Sequence, residues 1–188
     1  MDKKNISPDF GIIINFDKKK SPAKAFRVMS ELIDSFEKFD KDLLTCIDSK
    51  IEPTIILEDL EAGSIKGWFA NLLKATDDDG IKELDWKKIV GGYLVKSKYL
   101  VIDFLEGKTK ITSRKEIQKL ENDLYKLAKS TDIKRFPAYS PVPTAKLIAN
   151  INSITTSLQT IEDGEVIFSS VEEKKEVKFN LDFNFSPE

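Results

Sequence analysis

Near both ends of the chain, apolar residues occupy every second position. The first such segment covers residues 10–16 and the second covers residues 177–185. Their alternating apolar members are Phe10, Ile12, Ile14 and Phe16, then Val177, Phe179, Leu181, Phe183 and Phe185. Because every second side chain of a strand lies on the same face, both segments predict strands with one buried face. A purely helical fold therefore does not fit this chain.

Two further segments also predict strands. An apolar run at residues 54–57 follows Pro53, and a short apolar segment at residues 166–168 follows Gly164. The charged run 172–176 separates this last segment from residues 177–185. That order is typical of a β-hairpin with a solvated tip. The sequence thus predicts about four strands, including a C-terminal β-hairpin.

Between these strands, apolar residues recur at three- and four-residue spacing, which predicts helices. Helix starts are predicted at Ser21–Pro22, Gly63–Ser64, Trp86, Ser113 and Thr144. The second of these helices would carry Ile65, Trp68, Phe69 and Leu72 on one face. The pair Gly91–Gly92 would weaken the third helix, so we expect another helix to pack on it. The last two helices have matching apolar seams and are expected to form a hairpin.

Together these segments predict an α+β fold, with a small mixed or antiparallel sheet packed against several α-helices. At 188 residues and 40% hydrophobic content, we expect one domain spanning residues 1–188. The final residues 186–188 repeat the cap, proline and acid pattern of a helix start. We therefore expect the natural polypeptide to continue, with this chain as its N-terminal part.

The composition limits the chemistry that the chain can perform. It contains no histidine and one cysteine, Cys46, so histidine-based acid–base catalysis and multi-cysteine metal sites are excluded. It also lacks the glycine-rich nucleotide-binding motifs. Cys46 is expected to be a buried apolar residue rather than a reactive thiol. The sequence thus favours a protein that is not an enzyme and needs no cofactor.

The charge pattern narrows the expected partners and compartment. A net charge of −2 makes nucleic acid an unlikely partner, since such binders usually carry a basic excess. No secretory signal follows Met1, and the most apolar stretch, residues 89–105, is interrupted by Lys96, Lys98 and Asp103. We therefore expect a cytoplasmic protein without a membrane segment.

Two charged clusters are candidate ligand sites. Lys18, Lys19 and Lys20 precede the helix start at Ser21, where a small anionic ligand could bind, although a solvated basic loop also fits. Glu58, Asp59 and Glu61 follow an apolar strand and could hold Mg²⁺. The alternative for these acids is that they complement the dipole of the helix expected near Ser64.

Five aromatic residues with polar groups are candidate interface residues: Trp68, Trp86, Tyr93, Tyr99 and Tyr139. Such side chains are enriched at interfaces and in pockets because they combine a large apolar body with a hydrogen-bonding group. At helical spacing they can equally belong to the core. They favour a protein partner or self-association into an oligomer.

Three segments carry a resemblance to a family of uncharacterised bacterial cytosolic proteins. They are residues 10–16 (FGIIINF), 57–64 (LEDLEAGS) and 179–188 (FNLDFNFSPE). The resemblance extends over most of the chain and implies a bacterial cytosolic origin and a further small domain after residue 188. It carries no known activity and no site residues.

The leading hypothesis is a non-enzymatic binding or assembly module of a larger bacterial protein. One alternative is a magnesium-dependent phosphodiesterase or nuclease using Asp59 and Glu61, with Glu58 as a possible third ligand. Another is a sensor domain for a small anionic ligand, such as a nucleotide, bound near Lys18, Lys19 and Lys20.

Overall fold

The computed structural model describes residues 8–16, 22–47, 50–61, 65–75, 86–106, 108, 110–131, 133, 139–159, 164–171, 175–178 and 184–185. Its strands are β1 (Phe10–Phe16), β2 (Ile51–Glu61), β3 (Ile65–Ala75), β4 (Lys110–Ile111), β5 (Gly164–Ser170), β6 (Lys175–Lys178) and β7 (Asn184–Phe185). Its helices are α1 (Pro22–Thr45), α2 (Trp86–Leu105), α3 (Arg114–Ser130) and α4 (Thr144–Leu158). The predicted α+β class is confirmed.

Five strands form one antiparallel sheet in the order β2-β3-β1-β5-β6. The central strand, β1, pairs Phe10 with Phe69 of β3 on one side and with Ser170 of β5 on the other. Residues 10–14 of β1 are all buried; the ring of Phe36 on α1 packs against Phe10, and the ring of Trp68 covers Gly11. The predicted C-terminal hairpin is present as β5 and β6.

The segment expected to be a helix after Gly63–Ser64 is the strand β3, so that prediction is wrong. Residues 62–64 themselves lie outside the described part. Ile65, Phe69 and Leu73 are spaced four apart, and a spacing of four places residues on one face of either a helix or a strand. In the structure these three side chains are buried in the core, and β3 pairs along its length with β2. Trp68 and Leu72, which were the other members of the predicted helical stripe, lie on the opposite face of the strand and are half-buried.

The second alternating segment does not form one strand. Residues 175–178 pair with β5, whereas residues 184–185 pair in parallel with β4 in a separate two-stranded sheet. The residues between them lie outside the described part. The two described ends of this segment therefore belong to different sheets.

The core is built around Phe10 of β1. Its ring lies 5.5 Å from that of Phe69, 5.3 Å from that of Phe168 and 6.3 Å from that of Phe36 on α1. Helix α1 supplies ten buried residues and therefore forms much of the helical layer. Cys46, just after α1, is buried with 4% of its surface exposed, as the sequence predicts.

The two apolar seams predicted to meet do contact each other, but not as the main packing of either helix. Helix α4 packs mainly on α1 and α3 mainly on α2. At the α1–α4 contact the hydroxyl oxygens of Ser35 and Ser153 are 2.8 Å apart. Small side chains there allow the two helices to approach closely. The predicted helical hairpin is therefore part of a four-helix layer.

The predicted starts of α1, α2 and α3 agree with the structure, whereas that of α4 differs by one residue. Helix α1 begins at Pro22, and Ser113 caps α3 by accepting a hydrogen bond from the Lys115 backbone N–H. Thr144, predicted to cap α4, lies inside it, and its hydroxyl donates instead to Glu121 at 2.6 Å. Among the described helices, none combines the length and the apolar character that crossing a bilayer requires.

Candidate functional site

A cleft of about 710 Å³ opens between the first half of α2, strand β3 and the residue that precedes β1. Three elements therefore contribute to one concave surface. Its described lining residues are Asp9, Asn71, Lys87, Lys88, Ile89, Gly91, Gly92, Tyr93, Lys96 and Thr131. Volumes of 300–1,000 Å³ are typical of small-molecule sites in general.

The floor of the cleft is a chain of hydrogen-bonded polar residues. Asn71 of β3 donates to Asp9 Oδ2 from its backbone N–H at 2.8 Å and from its side-chain amide at 3.2 Å. The Asn71 side-chain oxygen accepts from the ammonium group of Lys98, on α2, at 3.2 Å. Lys98 also donates to both carboxylate oxygens of Asp40, on α1, at 2.7 and 2.6 Å. The chain thus connects the cleft with the interior between α1 and α2.

The Lys98–Asp40 ion pair below the floor is completely buried. Removal from water is the largest influence on both groups: it raises the pKa of Asp40 to about 6 and lowers the pKa of Lys98. The mutual attraction of the two charges opposes both shifts. Asp40 and Asn71 together provide three acceptor atoms for the three N–H donors of the ammonium group. Lys98 is thus a saturated, enclosed ammonium group, and its role is structural.

The rim of the cleft is positively charged. Lys87, Lys88 and Lys96 line it, against one described carboxylate, Asp9. Lys87 and Lys88 are exposed, and the Lys87 ammonium lies 5.6 Å from the centre of the Trp86 ring. A concave surface concentrates the field of charges of one sign. The described lining of this cleft is therefore basic, on a chain whose net charge is −2.

The pair Gly91–Gly92 lies on the cleft side of α2. A Cβ atom added at Gly91 would meet only Leu73 Cδ1, at 4.0 Å, and one added at Gly92 would meet nothing within 4 Å in the described part of the chain. In the described part of the chain, no helix packs on these glycines. Instead the two residues leave bare helix backbone facing the cleft.

The acidic cluster predicted as a magnesium site lies at the end of β2. Glu58, Asp59 and Glu61 are all exposed, and the register between β2 and β3 shifts between Leu57 and Asp59. Asp59 Oδ1 accepts the backbone N–H of Leu60 at 2.8 Å. Within the described residues, no group of three or more potential metal ligands comes together.

Glu61 has local partners on β3. It accepts a hydrogen bond from the Trp68 indole N–H at 2.6 Å and pairs with Lys66 at 3.5 Å. The Trp68 hydrogen bond is the main cause of a lowered pKa at Glu61. The helix whose dipole these acids could complement is the strand β3, so that alternative does not apply either. The lysines proposed for anion binding, Lys18–Lys20, and Ser21 lie outside the described residues.

The five aromatic interface candidates do not form one surface. Trp86 and Tyr93 are 6% and 2% exposed and belong to the core. Tyr99 and Tyr139 are half-buried, and the Tyr139 ring stacks on Tyr125 at 6.2 Å. Burial raises the pKa of Tyr139 to about 12. Trp68 is half-buried over Gly11, where an added Cβ would lie 3.0 Å from its ring.

Sequence reasoning missed Asp9 and Asn71, which line the cleft, and the buried pair Asp40 and Lys98 beneath them. One signal was available: Lys98 lies four residues after Leu94 and three before Val101, on the apolar stripe of α2. A lysine at such a position predicts a buried partner.

Compared with protein-family models, with curated proteins and with solved structures, the chain gives no significant match.

Proposed function

We propose that this domain binds a small anionic molecule in the cleft between α2 and β3. The observation that carries the proposal is the pair Gly91–Gly92 in the middle of α2. Each glycine costs a helix interior about 1 kcal/mol relative to alanine. The described packing gives no steric reason for either residue, but both border the cleft. Bare helix backbone at this place is useful if a ligand approaches it closely.

The charge of the cleft indicates the class of ligand. Lys87 and Lys88 alone outnumber the one described lining carboxylate, Asp9, while Lys96 also lines the cleft but has an interaction of its own. Lys87 and Lys88 lie in the first turn of α2, where the helix dipole adds to their positive potential. The ammonium group of lysine is a compact point charge that binds anionic groups such as phosphate or carboxylate. The proposal keeps the anionic-ligand hypothesis drawn from the sequence and places the ligand at α2 instead of at Lys18–Lys20.

The proposal is tested by thermal unfolding in the presence of pyrophosphate, at constant ionic strength. A ligand that binds only the folded state raises the unfolding midpoint in proportion to RT ln(1 + [L]/Kd). We expect pyrophosphate to raise the Tm of the wild-type chain. Replacing Lys87, Lys88 and Lys96 together by glutamine should abolish that rise.

The matched control is Lys115→Gln, which removes an exposed lysine from α3 outside the cleft. It should leave the pyrophosphate response unchanged. Equal loss of the response in the control and the triple variant would indicate a general charge effect and contradict the proposal. So would a wild-type response no larger than that to sodium chloride at the same ionic strength.

A further inference from the structure

Four hydrogen bonds, formed with three residues, hold Asp9 in place. Its backbone N–H donates to the Phe69 carbonyl at 2.7 Å, and its own carbonyl accepts from the Val171 N–H at 3.1 Å. Its side-chain Oδ2 accepts both hydrogen bonds from Asn71, at 2.8 and 3.2 Å. A carboxylate fixed in this way is preorganised, because it loses little freedom when a ligand binds.

The second carboxylate oxygen of Asp9, Oδ1, has no partner among the described residues. The nearby ammonium of Lys98 cannot supply one, since its three donors are already used by Asp40 and Asn71. Three carboxylates, those of Asp9, Glu37 and Asp40, act electrostatically on this one buried ammonium. Of these three carboxylates, only Asp9 lines the cleft, where Lys87, Lys88 and Lys96 are the described cationic residues.

We infer that the ligand is zwitterionic, with an ammonium group bound by Asp9 Oδ1 at the floor and an anionic group bound by the lysines at the rim. The inference rests on the proposed function and adds the second half of the ligand. A simple anion would meet the like charge of the Asp9 carboxylate, and this repulsion weakens its binding. A ligand that carries both charges satisfies floor and rim together.

The test compares aminoalkyl phosphates with alkyl phosphates of the same length, two to four carbons, by titration calorimetry on the whole chain at constant ionic strength. We expect the best aminoalkyl phosphate to bind the wild-type chain at least about ten-fold more tightly than its alkyl counterpart. The same compound with a trimethylated nitrogen keeps its charge but has no N–H donor. It should lose most of that advantage.

The variant Asp9→Asn tests the residue itself. Asparagine keeps an oxygen for Asn71 and places an NH₂ group where Oδ1 was, so the ratio of the two affinities should fall to about one. The control Asp34→Asn, an exposed residue of α1, should keep the wild-type ratio. Circular dichroism and the Tm establish that each variant is folded. The comparison of the two ligand series on the wild-type chain does not depend on the folding of any variant.

The outcomes separate the two proposals. Equal binding of aminoalkyl and alkyl phosphates by the wild-type chain overturns the zwitterion inference and leaves the anionic cleft in place. An unchanged ratio in Asp9→Asn overturns the role of Asp9. If no member of either series binds, the zwitterion inference and the proposed function both fail.

Discussion

Lys98 donates to both carboxylate oxygens of Asp40, across 58 positions of sequence and with neither side chain exposed. Removing one partner leaves the other charge buried without compensation. Asp40→Leu and Lys98→Met should each lower the free energy of unfolding by about 3–5 kcal/mol. Urea titration followed by circular dichroism measures the loss.

The double variant Asp40→Leu with Lys98→Met is the control for this prediction. It removes both charges, so its loss of unfolding free energy should be smaller than the sum of the two single losses. The difference should exceed about 0.5 kcal/mol, the usual limit of additivity. Additive losses would mean that the two side chains stabilise the fold independently. That result would contradict the pairing.

The raised pKa of Asp40 predicts how this carboxyl titrates. Because burial raises its pKa in the folded state from 3.8 to about 6, the folded chain binds a proton there more readily than the unfolded chain. The contribution of Asp40 to stability is then fully present below pH 3.8 and is lost as the pH rises through about 6. Carbon-13 NMR of the aspartate carboxyl groups should show one resonance titrating near pH 6.

Asp40→Asn assigns that resonance, since it should disappear in the variant while the other aspartate resonances remain. A spectrum in which every aspartate carboxyl titrates near its ordinary value would contradict the assigned pKa. The same result would mean that the Lys98 ammonium offsets the burial of Asp40 completely.

Gly92→Ala separates a structural reason for the glycine from a functional one. The added methyl group has open space in the described part of the chain, so helix propensity should raise the free energy of unfolding by about 0.5–1 kcal/mol. The same methyl group protrudes into the cleft and should weaken binding of the aminoalkyl phosphate. Urea titration and calorimetry on one preparation measure both effects.

The control for Gly92→Ala is Gln118→Ala, an exposed position on α3. It should leave the affinity for the aminoalkyl phosphate unchanged. A Gly92→Ala protein that is more stable and binds as tightly as the wild type would remove the ligand as the explanation for the glycine. A less stable protein would point instead to a packing role for Gly92.

The sequence predicted the fold class and most elements because their spacing is unambiguous. Helix α1 and strand β1 show a period that fits one structure only. Strand β3 was misassigned because Ile65, Trp68, Phe69 and Leu72 have helical spacing, whereas the strand buries Ile65, Phe69 and Leu73. The pairing partners of residues 177–185 could not be predicted either, since alternation reports a buried face and not the neighbouring strand.

The candidate site was harder to predict, because its members are distant in sequence. Asp9, Asn71 and Lys98 meet only when β1, β3 and α2 are assembled. Residues that are contiguous in sequence, such as Glu58, Asp59 and Glu61, were predicted as a ligand site instead. Adjacent residues of like charge usually lie on a solvated surface, whereas a functional floor combines elements that only the fold brings together.

A final prediction concerns the exposed edge of the sheet at β2. Glu37 Oε1 of α1 accepts the Ile55 backbone N–H at 2.8 Å, so this N–H points away from β3. Pro53, two residues earlier on the same side, has no N–H, and the register shift after Leu57 interrupts the edge further. The Glu37 hydrogen bond, Pro53 and the register shift thus each oppose pairing of this edge with another chain.

Glu37→Ala frees the Ile55 N–H and should promote self-association, together with a loss of about 1–2 kcal/mol in unfolding free energy. Light scattering during size-exclusion chromatography detects the larger species. Glu37→Gln keeps an acceptor oxygen in the same place and should remain close to the wild type. If both variants associate equally, the negative charge of Glu37 protects the edge. If neither variant associates, Pro53 and the bulge are sufficient. Either result would contradict the prediction that the hydrogen bond to Ile55 keeps β2 from pairing.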